Sequence, residues 1–274
     1  MGDRVLQRMQ HHKFSETLGQ WRDSIQSQGM AFLQRWRVEQ ELRTSLQRNE
    51  LALALQPIVS LVDGHLISRE ALVRWEKPKE GTLMPTTFLP LFEEFGLSTE
   101  LDQWVLTQAC YNTLLRNQRC NTRLSIHVNL SGQQFHIQGL SQRVHEALRL
   151  TGLEPHLLCL EITEGQCIQD IDAAVSELQQ LRDWGVQIWL DDFGTGYNGL
   201  LYLQELPLDG IKIALPLIHR LSNTSSSALI VKSCIDLAHS IGLKVVGEGI
   251  ETLEQLQQLR AFGCDMGQGF LFQA

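Results

Sequence analysis

From residue 50 onward, short runs of β-branched and apolar residues alternate with longer stretches whose apolar residues recur at helical spacing. This alternation limits the choice of fold more than any other feature. The strand-like runs are LALALQPIV (51–59), GHLISREALVRW (64–75), RLSIHVNL (123–130), LLCLEIT (157–163), VQIWL (186–190), GIKIA (210–214), LKVVG (243–247) and GQGFLF (267–272). Amphipathic stretches such as STELDQWVLTQACYNTLLRN and DIDAAVSELQQLRDWG lie between them, and the second closes on Gly185, a good helix stop. Strands alternating with helices over this length predict an α/β fold, a TIM-type (β/α)8 barrel. A doubly wound open sheet is the rival. No G-x-G-x-x-G follows the first strand, which weakens it.

The N-terminal part differs from the rest. Residues 1–48 hold eight Lys/Arg against five Asp/Glu, whereas the whole 274-residue chain carries −8. The stretch MAFLQRWRVEQELRTSLQRN (30–49) lacks Gly and Pro and is rich in helix formers. We expect a helical linker or signalling segment over 1–44 and a barrel over 45–274. The acidic balance argues against a nucleic-acid polymer as partner. It leaves room for a small anionic ligand held by metal ions, which supply the positive charge themselves. The six cysteines form no C-x-x-C pair and read as small buried hydrophobes of a reducing compartment. No apolar run reaches membrane-spanning length, and MGDRVLQRMQ has neither a secretory h-region nor, with Leu6, a myristoylation pattern. A cytoplasmic location is expected.

Polar residues recur at the ends of the apolar runs. Glu70 stands in the second, Asn129 and Ser131 close the third, and Glu161 and Glu164 close the fourth. Asp191-Asp192 follow the fifth, Lys212 lies inside the sixth, Glu248 and Glu251 follow the seventh, and Gln268 opens the eighth. Each has an ordinary reading by itself. A glutamate at a strand end is usually solvated, Asp-Asp before FGTG suits a turn, and a strand lysine can snorkel. In a barrel, however, the C-terminal ends of the parallel strands share one mouth. Carboxylates crowded there repel one another unless cations neutralise them. An all-oxygen set of Glu, Asp and Asn selects hard ions such as Mg²⁺, Mn²⁺ or Ca²⁺, and a pair of such ions is the usual device for phosphoester hydrolysis.

The motifs carry a resemblance. Glu70-Ala71-Leu72 followed by Val73-Arg74-Trp75 resembles the signature of the EAL domain family, bacterial cyclic-di-GMP phosphodiesterases. QPIV (56–59), NLS (129–131), EITE (161–164), DDFGTGY (191–197), IKI (211–213), EGIE (248–251) and QGF (268–270) are similar to the family's pattern, in order, over about residues 45–274. The resemblance implies a barrel whose first strand runs antiparallel, two Mg²⁺ or Mn²⁺ ions, and hydrolysis of one phosphodiester bond of c-di-GMP to linear pGpG. It implies metal ligation by Glu70, Asn129, Glu161, Asp191, Asp192 and Glu248. Lys212 matches the lysine that positions the attacking water, and Glu251 and Gln268 match residues holding metal-bound waters. Glu164 matches the anchor of the DFGTGYNGL loop, and Gln56, Leu72 and Arg74 match contacts to the dinucleotide. A homodimer and an upstream sensory or GGDEF-type domain are implied partners. Asn198 and Gly199 stand where the family usually has serines, Ala214 where it has aspartate, and Phe270 where it has tyrosine. Two other functions stay open on the sequence: a c-di-GMP sensor that does not cut its ligand, and an interaction protein with no nucleotide.

Overall fold

The computed structural model describes residues 35–48, 50–77, 80–131, 139–164, 171–196, 198–221 and 225–273. Residues 30–34 of the expected N-terminal helix, the rest of the segment upstream, and Tyr197 of the DDFGTGY motif lie outside the described residues. The chain divides into two units, Met1–Glu50 and Leu51–Ala274. In the first, helix α1 runs over 35–47.

Among the described residues the second unit has nine strands: β1 (Leu51–Ser60), β2 (Leu66–Lys77), β3 (Gly81–Leu83), β4 (Ser125–Asn129), β5 (Leu158–Thr163), β6 (Gln187–Phe193), β7 (Gly210–Ile213), β8 (Lys244–Gly247) and β9 (Met266–Gln268). The helices are α2 (Pro85–Glu94), α3 (Ser98–Cys120), α4 (Leu140–Thr151), α5 (Ile171–Asp183), α6 (Gly199–Glu205), α7 (Leu215–His219), α8 (Ser225–Ser240) and α9 (Leu253–Ala261). The sheet order is β1-β9-β8-β7-β6-β5-β4-β2-β3, and an added β1–β2 pairing closes it. Eight strands therefore form a closed barrel, and the open-sheet alternative is excluded. β1 is antiparallel to both its neighbours, β2 and β9, while β2 and β4–β9 run parallel. The tight connection between β1 and β2 explains this, since a hairpin permits only antiparallel pairing, and a parallel crossover needs a dozen residues or more.

Two details depart from the sequence expectation. The short β3 pairs with the end of β2, Trp75 opposite Leu83, and was not foreseen. The expected strand over 267–272 ends at Gln268 and gives way to a 3-10 turn over Phe270–Phe272. There Leu271 N–H bonds to Ile250 C=O at 3.0 Å and Phe272 N–H to Gly269 C=O at 3.2 Å, so these amides leave the ladder. Gly185 does stop its helix, with φ 97° and its N–H on the Arg182 carbonyl at 2.8 Å.

The barrel interior is layered. Ile58, Cys159, Trp189, Val246 and Met266 fill its lower part, and the alternation of the strands puts the polar residues directly above on the same inward face. Trp189 is the largest of these side chains, and Gly210 on β7 makes room for it. A Cβ built at Gly210 would lie 2.3 Å from the indole Cζ3. Outside the barrel, Trp75 packs edge-on against Phe88 and Phe92 of α2, at 5.9 and 6.3 Å between ring centroids, which fixes the upper end of β2. Replacing Gly210 by alanine should destabilise the barrel by about 1–3 kcal/mol through overpacking against Trp189. Thermal or urea unfolding measures this, and an unchanged midpoint would contradict the layered core.

Candidate active site at the barrel mouth

Lys212 is the centre of the site. Its side chain is 0% exposed, on β7 between Ile211 and Ile213, both buried outward. Inward, Nζ lies 2.6 Å from Glu248 Oε1, 3.1 Å from Glu70 Oε2, 3.1 Å from Glu161 Oε1 and 3.4 Å from Asp191 Oδ1. Strands β2, β5, β6 and β7 and the segment after β8 thus deliver one ammonium and four carboxylates to one point. Burying an ammonium costs several kcal/mol, which its carboxylate partners must offset.

The remaining polar residues close around that point. Glu70 Oε1 accepts from Asn129 Nδ2 at 2.8 Å, and its Oε2 accepts from Gln268 Nε2 at 2.6 Å as well as from Lys212. Asp191, Asp192 and Glu248 each offer a carboxylate oxygen, all within 4.8 Å of one another. Asp192 holds a left-handed backbone, φ 54°, unusual for a non-glycine residue and a feature that concentrates at functional sites. Its N–H is held by Asp191 Oδ1 at 2.8 Å. Ser131 is not part of the cluster, because its hydroxyl donates to Asp102 Oδ2 at 2.5 Å.

The charges do not balance. Burial alone would raise the Glu70 carboxyl, but Lys212 and the hydrogen bonds from Gln268, Lys212 and Asn129 hold it below its ordinary value. Glu161 is pushed well above the carboxylate range by burial, with Glu70 and Asp191 adding to it against the pull of Lys212. Glu248 is raised well above it too, by burial and by Asp191 and Glu70. Asp192 is raised by burial and by Asp191. Burial would lower Lys212, yet Asp191, Glu161, Glu248 and Glu70 hold it well above its usual value. One ammonium is too little positive charge for this many carboxylates.

A divalent cation fits that deficit. Glu161 Oε2 and Gln268 Oε1 are buried with no hydrogen-bond partner among the described residues, and a buried acceptor left so is costly. The donors are all oxygen, the set that hard cations take.

Above the cluster opens a cavity of about 500 Å³. Glu70, Glu248, Glu251 and Gln268 line its floor and side, and Gln56, Leu72 and Arg74 line the β1–β2 wall. Gln56 sits directly opposite Glu70 in that hairpin. Met84, Leu215 and the exposed Phe270 complete the rim. Glu251, exposed, faces His219 Nε2 at 3.5 Å.

Glu164 lies beside the cluster and fastens the loop after β6. Its Oε2 accepts from Gly194 N–H at 2.7 Å and its Oε1 from Gly199 N–H at 2.9 Å. A Cβ at Gly199 would stand 2.9 Å from the Glu164 carboxyl carbon and from the Phe193 ring, so the glycine lets the carboxylate sit this close. Asn198 caps α6 without a side-chain bond, and Ala214 is buried at the start of α7.

The sequence reasoning missed His127. Its Nδ1 lies 2.8 Å from Glu161 Oε1, both side chains being buried. The signal was available, because His127 precedes Asn129 by two on β4 and so shares its inward face.

Comparison with known proteins agrees with the motifs. The EAL domain family pattern matches residues 39–274. The bifunctional diguanylate cyclase/cyclic di-GMP phosphodiesterase MucR of Pseudomonas aeruginosa is 43% identical over 231 residues, which is 84% of this chain and 34% of that protein. The cyclic di-GMP phosphodiesterase NbdA of the same organism is 39% identical over 239 residues, 87% of this chain and 30% of that protein. The chain therefore spans about a third of the length of these relatives. A solved structure described as "PaMucR Phosphodiesterase, c-di-GMP complex" superposes with a TM-score of 0.81 at 42% identity, covering 87% of this chain and 96% of that one. The chain belongs to the EAL domain family.

Proposed function

We propose that this chain hydrolyses one phosphodiester bond of c-di-GMP, giving linear pGpG, with two Mg²⁺ or Mn²⁺ ions held at the barrel mouth. The observation that carries the reading is the buried carboxylate cluster around Lys212, short of positive charge and open to a nucleotide-sized cavity. Relatives named as cyclic di-GMP phosphodiesterases support it. Glu70, Asn129, Glu161, Asp191, Asp192 and Glu248 would hold the ions. When bound, the ions supply a polarised phosphoryl oxygen and a water acidified towards hydroxide.

The protein's own groups do the rest. Lys212, with an ammonium among the carboxylates, orients the attacking water and keeps the acidic side chains at hydrogen-bond distance. Glu251 and Gln268, on the cavity wall, hold further waters in place. Arg74 meets a phosphate of the substrate, a natural partner for a guanidinium, while Gln56 and Leu72 position the rest of the dinucleotide. In the reaction water oxygen bonds to phosphorus, the bond from phosphorus to the 3′ oxygen breaks, and that oxygen takes up a proton. Glu164 keeps the loop that follows Asp192 and Phe193 fixed through Gly194 and Gly199.

The reading extends to the rest of the protein. We assign residues 1–44 to a signalling segment and 45–274 to the barrel domain, working in the cytoplasm beside an upstream sensory or GGDEF-type domain. Among the described residues no helix is long and apolar enough to cross a membrane. We assign a homodimer, supported by exposed Leu200 on α6 and Leu229 and Ile230 on α8.

Two experiments test these assignments. Purified chain with c-di-GMP and Mg²⁺ or Mn²⁺ should release pGpG, seen by chromatography. Glu70→Ala should release none, whereas Lys212→Ala should still bind c-di-GMP and turn over about 10²–10⁴-fold more slowly. Wild-type turnover by Glu70→Ala contradicts the metal assignment, and tight binding with no product from the wild type makes the chain a sensor. Light scattering should give twice the 31.1 kDa chain mass, falling to one chain mass for Leu229→Glu. A monomeric wild type contradicts the dimer.

A further inference from the structure

Glu161 is the most enclosed of the carboxylates, and its two oxygens have different surroundings. Oε1 meets His127 Nδ1 at 2.8 Å and Lys212 Nζ at 3.1 Å. Oε2 is buried and meets no hydrogen-bond partner among the described residues. A carboxylate with both donors on one oxygen has its rotation set, and its second oxygen is committed to whatever enters the cluster. Lys212 cannot do this alone, because it is shared with Glu70, Asp191 and Glu248. Among the described residues His127 meets no second carboxylate, so its Nδ1 serves Glu161.

The imidazole is itself held. His127 is 2% exposed. Its ring meets the Trp189 indole edge-on, with centroids 5.2 Å apart and planes at 61°. Trp189 lies across from Glu161 in the β5–β6 register and fits over Gly210. A chain of contacts therefore runs from the absence of a side chain at Gly210, through the indole, to the imidazole and on to one oxygen of Glu161.

We propose that His127 is a positioning residue of the metal site: it donates Nδ1–H to Glu161 Oε1 and so presents Glu161 Oε2 to a divalent cation. The inference rests on the metal reading above. Partners that orient a ligating side chain are typically worth ~10–100-fold in metal affinity.

Three variants separate a hydrogen-bonding role from a packing one, with Mn²⁺ binding by calorimetry or electron paramagnetic resonance as the readout and thermal unfolding as the check on the fold. His127→Phe keeps an aromatic ring against Trp189 and loses the donor. His127→Asn loses the ring and keeps an N–H near the place of Nδ1. His127→Ala loses both. The proposal expects His127→Ala and His127→Phe to raise the Mn²⁺ dissociation constant ~10–100-fold, and His127→Asn to recover most of the affinity. The reverse order, with Phe near wild type and Asn weak, assigns His127 to packing and overturns the proposal, as does wild-type affinity in His127→Ala. If the wild type binds no Mn²⁺, the metal reading fails first and takes this assignment with it, a different result from binding that ignores His127. Should His127→Phe not fold, the Ala and Asn variants still decide between the outcomes.

Discussion

The ammonium of Lys212 sits fully buried among Glu70, Glu161, Asp191 and Glu248. Much else in the molecule exists to make that arrangement tolerable. A buried ammonium is stable only with charged partners, and buried carboxylates only with cations. The parallel strands meet both needs by directing one polar residue each to the same height above a packed apolar layer. Gly210 under Trp189 and the aromatic cluster behind Trp75 set that layer and the wall beside it. The cluster is therefore a consequence of barrel closure, since no two of the four carboxylates come from the same strand.

The same geometry links the site to its surroundings. Glu164, one residue past the end of β5, reaches across to the Gly194 amide of the loop that follows β6 and to the Gly199 amide that opens α6. That loop follows directly on Asp192 and Phe193 at the end of β6, and the left-handed backbone of Asp192 turns its carboxylate toward Asp191 and Glu248. Glycines at 196 and 199 leave the Glu164 carboxylate its space. A change at Gly199 would move Glu164 first, and the loop and Asp192 through it.

Much of the fold was legible in the sequence. The alternating runs point to an α/β fold because strand and helix periods differ, and they favour a barrel over its open-sheet rival only through the missing G-x-G-x-x-G and the EAL motifs. The closed barrel and the antiparallel β1 appear as expected. β3 escaped because three residues carry no period. The turn at Phe270–Phe272 was read as strand because an apolar run cannot show where its amides find partners. At the site, residue types and spacing pointed to a rim, but distances around Lys212 depend on barrel stagger that no spacing encodes. His127 escaped because a histidine inside an apolar strand is more often a core residue, and its partner Glu161 is 34 residues away.

The most direct test of the account is anomalous diffraction from crystals of this chain grown with Mn²⁺. The account predicts Mn²⁺ peaks at the mouth, one near Glu161 Oε2 and another near Asp192, with Lys212 still beside the carboxylates. A density map without Mn²⁺ at the mouth would contradict it and make the ammonium the only cation that the site needs.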